Sequence, residues 1–179
     1  MMRRLLGTAA VLLAACGGDP SPIVIGVVGP FGQARGESMR LAAELAQKEI
    51  NAAGGVRGRP VELVIRDDSA SGEVAIRVAQ ELYDDARVVA VIGHLTSVTT
   101  LAAAPIYNGG DDPVVEISPS ASSPLVTLAG PWTFRVCPAE ETHGSRLAQW
   151  AWNDMGMRQV AILYENTDYG RGVRGAFTE

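Results

Sequence analysis

Ile23-Val24-Ile25-Gly26-Val27-Val28-Gly29-Pro30 is an unbroken apolar, β-branched run closed by a glycine–proline break. Alternation would mark a strand with one wet face; a continuous run marks a strand covered on both faces, the habit of parallel sheets. Toward the C-terminus the spacing becomes helical from Gly36 to Ala53, with Leu41, Ala42, Leu45, Ala46 and Ile50 on one face and Gly54-Gly55 as the stop. The cycle then repeats. Val61 to Arg66 reads as a strand ending at Asp67-Asp68, and Ser71 to Asp84 as a helix turning Val74, Ala75, Val78, Ala79 and Leu82 inward. Val88 to Ile92 is a third buried strand closed by Gly93-His94, Thr99 to Tyr107 a short helix, and Val114 to Ile117 a fourth strand. Strands alternating with helices predict right-handed βαβ units, hence an α/β fold with a parallel sheet flanked by helices. No repeat of fixed period is present, which excludes a solenoid.

A boundary is expected near Cys137 to Glu141. Beyond it Thr142 to Met155 reads as a helix with Leu147, Trp150 and Ala151 on one side, Val160 to Tyr164 as a strand, and a further helix begins near Gly170. One strand with so little helix cannot enclose a core, so the region reads as the opening of a second α/β unit in a fragment of a longer protein. Thr133 to Val136 has the look of a strand, which gives Cys137 the expectation of a largely buried, inert thiol.

Outward in the other direction, Arg3-Arg4, the apolar stretch Leu5 to Leu13 and the small residues after it form an export signal. The stretch is too short for a membrane-spanning helix, which needs ~20 apolar residues. A buried N-terminal helix is the alternative, opposed by the two arginines and by Gly17-Gly18-Asp19-Pro20-Ser21-Pro22 immediately afterwards. The chain has 179 residues, 47% hydrophobic, with two Cys and a net charge of -5. That composition excludes a disordered chain and a disulfide-rich scaffold, and it lacks the basic footprint of a nucleic-acid binder.

Catalytic and metal signatures are weak. Gly26 to Gly32 fits neither G-x-G-x-x-G nor G-x-x-x-x-G-K-[ST], and Pro30 removes an N–H that a phosphate cradle would use. Asp67-Asp68 points to a turn-and-cap role, since neighbours on a strand face opposite ways. His94 and His143 have no metal-ligand spacing, and no Ser sits in a G-x-S-x-G elbow. No cofactor is expected. Two loops past strand ends are instead rich in hydroxyls, Leu95-Thr96-Ser97-Val98-Thr99-Thr100 and Ser118-Pro119-Ser120-Ala121-Ser122-Ser123-Pro124. Ligands of open α/β sheets sit at such loops, and a carboxylate is well served by hydroxyls and N–H groups at a helix N-terminus. Taken singly, each serine reads equally as a helix cap or turn residue.

Leu13-Ala14-Ala15-Cys16 resembles the lipobox of bacterial lipoproteins, which implies a signal over residues 1–15, lipid on Cys16 and a tether over 16–22. From Ile23 onward the chain resembles the periplasmic branched-chain amino-acid binding proteins of ABC transporters. The resemblance is carried by Ile25 to Pro30, Glu49-Ile50-Asn51-Ala52-Ala53-Gly54-Gly55-Val56, Arg66-Asp67-Asp68, Val91-Ile92-Gly93-His94, Ala104-Pro105-Ile106-Tyr107, Ile117-Ser118-Pro119 and Thr167-Asp168-Tyr169-Gly170. It implies the type I periplasmic-binding-protein fold, with a first lobe over 23–138 and the start of a second over 139–179, closing on a ligand between them.

The same resemblance implies site roles. Ser97 would donate to an amino acid's carboxylate, Ser120 would offer a backbone carbonyl to the ammonium, and Ser122 a hydroxyl and N–H to the carboxylate. Tyr169 would close over the ligand from the second lobe; its plain alternative is a half-buried core tyrosine. Arg35 stands where well-studied members place an aromatic residue, in a shorter first loop. It is either a solvent-facing arginine or the mark of a more polar or acidic ligand. Ala70 and Thr96 occupy positions that carry a disulfide in some members, so that bridge is not used. The implied function is an envelope-located, lipid-anchored binding component, without catalysis, that delivers an amino acid or close relative to a membrane permease. A ligand sensor on the same fold and a secreted α/β enzyme are the rivals.

Overall fold

The computed structural model describes residues 21–179. The signal over 1–15, Cys16 and most of the tether lie outside the described residues. Five strands, β1 (Ile23–Gly29), β2 (Val61–Asp67), β3 (Val88–Ile92), β4 (Val115–Ser118) and β5 (Thr133–Arg135), form one sheet in the order β2-β1-β3-β4-β5. All four pairings are parallel, with Ile25 opposite Leu63 and Ala90, and Ile92 opposite Ile117. The α/β expectation is met, and β5 is the strand read at Thr133 to Val136.

Helices α1 (Ala34–Ala52), α2 (Gly72–Asp84) and α3 (Ser97–Tyr107) connect the first four strands. The chain turns one way from β1 to β2 and the opposite way from β2 to β3 and β4. Right-handed crossovers therefore place α1 on one face and α2 with α3 on the other. On the second face Val24, Val28 and Val91 pack under Val78, Leu82 and Tyr107. Gly26 makes this approach possible, since a Cβ there would lie 2.9 Å from Leu82 Cδ1. At the end of α1, the Asn51 amide both donates to and accepts from the Val61 backbone, at 2.9 and 2.7 Å, and so pins the helix to the start of β2.

Four expectations need correction. The α1 stripe is not covered: Leu41 and Leu45 are each about half exposed, because α1 packs chiefly along β1 and β2 at one margin of the sheet. The helix read over Thr142 to Met155 begins earlier, as α4 (Glu140–Gln149), and continues into a π-helical turn over Trp150–Asp154. It buries Ala151 but leaves Leu147 and Trp150 open. Val160 to Tyr164 forms no strand; no described strand edge pairs with it, and Leu163 is fully exposed. An unpaired extended segment keeps its backbone polar groups in water. Cys137 is only partly buried, since β5 ends at Arg135 and the chain leaves the sheet there. The last helix is α5 (Asp168–Thr178), capped by the Thr167 hydroxyl on the Gly170 N–H, and it packs on α4.

Candidate ligand-binding site

The connections reverse direction between β1 and β3, and the loops after those strands diverge to opposite faces. The crevice at such a switch point, beyond the carboxyl ends of the strands, is where open α/β sheets bind ligands. Arg35 leaves from the second residue of α1 on one side, and Ser97 opens α3 on the other. Gly36 seats α1 beneath the first loop: a Cβ there would collide with the Pro30 carbonyl, which also accepts from the Gln33 N–H at 2.9 Å.

The structure brings both hydroxyl loops together. The Ser97 hydroxyl accepts from the Ser123 N–H at 3.2 Å, so the start of α3 touches the loop after β4 directly. Thr96, not Ser97, caps α3, by accepting from the Thr99 N–H. The bare capping role therefore belongs to its neighbour, and the Ser97 O–H proton has no acceptor among the described residues. Ser120 donates to the Leu95 carbonyl at 2.7 Å and accepts from the Arg35 guanidinium at 3.2 Å. This bond draws Arg35, which forms no ion pair among the described residues, over the serine loop. Ser122 is buried and donates to Glu140 Oε2 at 3.0 Å, while its carbonyl accepts from the Glu140 N–H at 3.0 Å.

Tyr169 lies half exposed on the first turn of α5. Gly172, three residues on and so on the same helical face, abuts the Glu140 carboxylate. Glu140 thus links the start of α5 to Ser122.

Three features were not foreseen from the sequence. The first is a buried pair: His94 Nδ1 lies 2.7 Å from Asp68 Oδ2, both side chains fully enclosed. Asp67 and Asp68 also cap the turn as read, accepting from the Ser69 and Ala70 N–H groups at 2.6 and 3.0 Å. The second is Arg135 on β5, whose guanidinium holds the carbonyls of Ser122 and Ser123 at 3.1 and 2.8 Å. The third is Glu116 on β4, buried on the α3 side. Burial pushes its carboxyl up to about 8, although the Thr133 hydroxyl and the His94 backbone N–H pull it partway back. Burial, with the Glu116 and Asp68 charges nearby, also pushes the Tyr107 phenol up. A signal for the first pair was available: Asp68 and His94 each follow a strand, and those strands flank β1.

The serine loops form an open crest. Two hollows lie elsewhere, about 550 Å³ at the amino ends of β1 and β2 and about 430 Å³ beside β5. Among the described residues no cluster of three or more His, Cys, Asp or Glu could hold a metal ion. No described helix is long and apolar enough to cross a membrane.

Residues 22–179 match the family model described as periplasmic binding protein. The chain belongs to the periplasmic binding protein family. As a family member it is 33% identical to the Leu/Ile/Val-binding protein homolog 1 of Brucella abortus, over 96% of this chain and 47% of that protein. An ABC transporter substrate-binding protein of Desulfitobacterium hafniense, solved in complex with Leu, is 35% identical with a TM-score of 0.74, over 87% of this chain and 46% of that one. The branched-chain amino acid transporter substrate-binding protein LivJ of Streptococcus pneumoniae, in complex with isoleucine, gives a TM-score of 0.81 at 28% identity, over 88% and 46%. The periplasmic binding protein fold is therefore of type I, with its parallel sheet flanked by helices. The chain spans about half the length of these relatives.

Proposed function

We propose that this chain is the substrate-binding part of an ABC uptake system and holds an amino acid or a close relative at the crest formed by Ser97, Ser120 and Ser122. The observation that carries the reading is the contact between Ser97 and Ser123. It joins two hydroxyl loops at the N-terminus of α3, where the first backbone N–H groups lack intrahelical acceptors. A hydroxyl that accepts through a lone pair keeps its proton to donate. Ser97 thus has a hydrogen bond to give a carboxylate, beside the Ser122 N–H. Ser122 differs, because its hydroxyl proton goes to Glu140; that oxygen retains lone pairs for an ammonium, as does the Ser120 carbonyl.

Arg35 sets the other end of the ligand. A guanidinium tethered to Ser120 and lacking a carboxylate partner among the described residues favours a ligand whose far end is polar or acidic. Relatives solved with leucine and isoleucine support the amino-acid class, and Arg35 argues for a polar variant within it. Residues 23–138 act as the first lobe and 139–179 open the second, from which Tyr169 closes over the ligand. The short export signal and the Leu13-Ala14-Ala15-Cys16 motif support lipid on Cys16 and a location on the outer side of a membrane, where the loaded protein meets a permease.

Calorimetric titration against the common amino acids and their amides tests the reading. Saturable binding of at least one, weakened by Ser97→Ala, is the expected result. No heat from any of them overturns it.

A further inference from the structure

The buried Asp68–His94 pair lies beneath the crest, and the loops after β1, β2, β3 and β4 all meet at it. The sheet order puts β1 between β2 and β3, so the 2.7 Å contact spans the end of β1. The Asp68 N–H donates to the Gly29 carbonyl at 3.2 Å, and Asp68 Oδ1 holds the Ala70 N–H. On the other side the His94 carbonyl accepts from Ser118 at 2.6 Å and from Thr100 at 3.0 Å. Ser118 in turn accepts the Ala121 N–H at 3.0 Å, and the next carbonyl, Leu95, receives the Ser120 hydroxyl. Asp68 thus holds the His94 ring, and the His94 backbone carbonyl in turn holds Thr100 and Ser118, one in each serine loop.

We propose that Asp68 and His94 are positioning residues for the ligand site: by locking the imidazole they fix the direction of the residue-94 carbonyl, and with it the spacing of the two loops. Neither side chain reaches the crest. The inference rests on the site reading above, for which it supplies the supporting layer. A ring held at Nδ1 inside a closed slot, with Tyr107 Oη 3.5 Å from Nε2, cannot turn without leaving a buried N–H unsatisfied. Its backbone is thereby held in place. Buried hydrogen-bond partners behind a binding group commonly set its geometry in this way.

Amide exchange of the full chain without ligand, read residue by residue by NMR, tests this. In Asp68→Ala the Ala121 and Ser123 amides should exchange roughly tenfold to a hundredfold faster, the range set by losing a buried hydrogen bond to a charged partner. The Val27 amide in the middle of β1 should keep its protection. Asp68→Asn presents an N–H to Nδ1, so the ring proton should move to Nε2, with the ¹⁵N shifts of the two ring nitrogens exchanging places while the loops stay protected. Unchanged exchange at Ala121 and Ser123 in Asp68→Ala, or equal loss at Val27, overturns the proposal. If that variant does not fold, Asp68→Asn decides: a ring that keeps its original tautomer overturns it. Titration with L-leucine is a separate arm, whose failure counts against the ligand reading while the exchange data still decide this one.

Discussion

Glu116→Gln should make the protein more stable at neutral pH and leave it nearly unchanged in acid. The carboxyl is fully buried, its Oε1 has no hydrogen-bond partner among the described residues, and burial pushes it up to about 8 in the fold against 4.5 ordinarily. Between those values the folded chain holds a proton that the unfolded chain has released. Stability from this group is therefore fully present below about pH 4.5 and is lost as pH rises toward 8. Each pH unit in the window costs up to about 1.4 kcal/mol, so the loss between pH 4.5 and 7 is about 3 kcal/mol. Against a typical total of roughly 5–15 kcal/mol that is a large fraction. Glutamine has nearly the same shape, accepts from Thr133 and does not ionise. Urea denaturation followed by circular dichroism, at intervals from pH 4 to 8, should show the variant gaining on the parent by about 3 kcal/mol at pH 7, or on the order of 10 °C in Tm. Other titrating groups cancel in the difference. A difference that stays flat within about 1 kcal/mol across that range would refute the reasoning, since it would mean that Glu116 is solvated or paired.

Ser97→Ala should weaken amino-acid binding by roughly tenfold to a hundredfold in calorimetry, the cost of one hydrogen bond to a charged group; an unchanged Kd would remove Ser97 from the site. Arg35→Leu should shift preference toward leucine and away from glutamate, read as the ratio of their Kd values, and a constant ratio would make Arg35 a bystander. Cys16→Ala should move the protein from the membrane fraction to the soluble fraction and abolish the diacylglycerol mass on Cys16 in the intact protein; persistence in the membrane would disprove the anchor.

The core was legible because its signals are short-range. Val24, Val28, Val78 and Leu82 carry their burial in local period, and the alternation of strand and helix fixes the crossovers. What escaped depends on distant partners. Leu41 and Leu45 have the spacing of a covered helix face, but cover comes from other elements, and α1 meets only the margin of the sheet. Val160 to Tyr164 has the composition of a strand and lacks an edge to join among the described residues. At the site, hydroxyl-rich loops at strand ends marked the region, and it was the family resemblance that implied Ser97, Ser120 and Ser122 within it. Their hydrogen-bond assignments were hidden, because Glu140, 18 residues from Ser122, decides which proton that serine can offer. Asp68 and His94 lie 26 residues apart, and the two Asp at 67–68 read first as a simple turn.

Under the proposed function, Gly36 bears on selectivity. With no side chain between α1 and the Pro30 carbonyl, the first loop lies flush on the helix and the root of Arg35 cannot drift outward. Bonded to Ser120, the guanidinium would on that reading work as a gauge. A molecule one methylene too short would leave a gap beneath it, and one too long would have to push it off Ser120, so cargo would be measured by length as well as by charge.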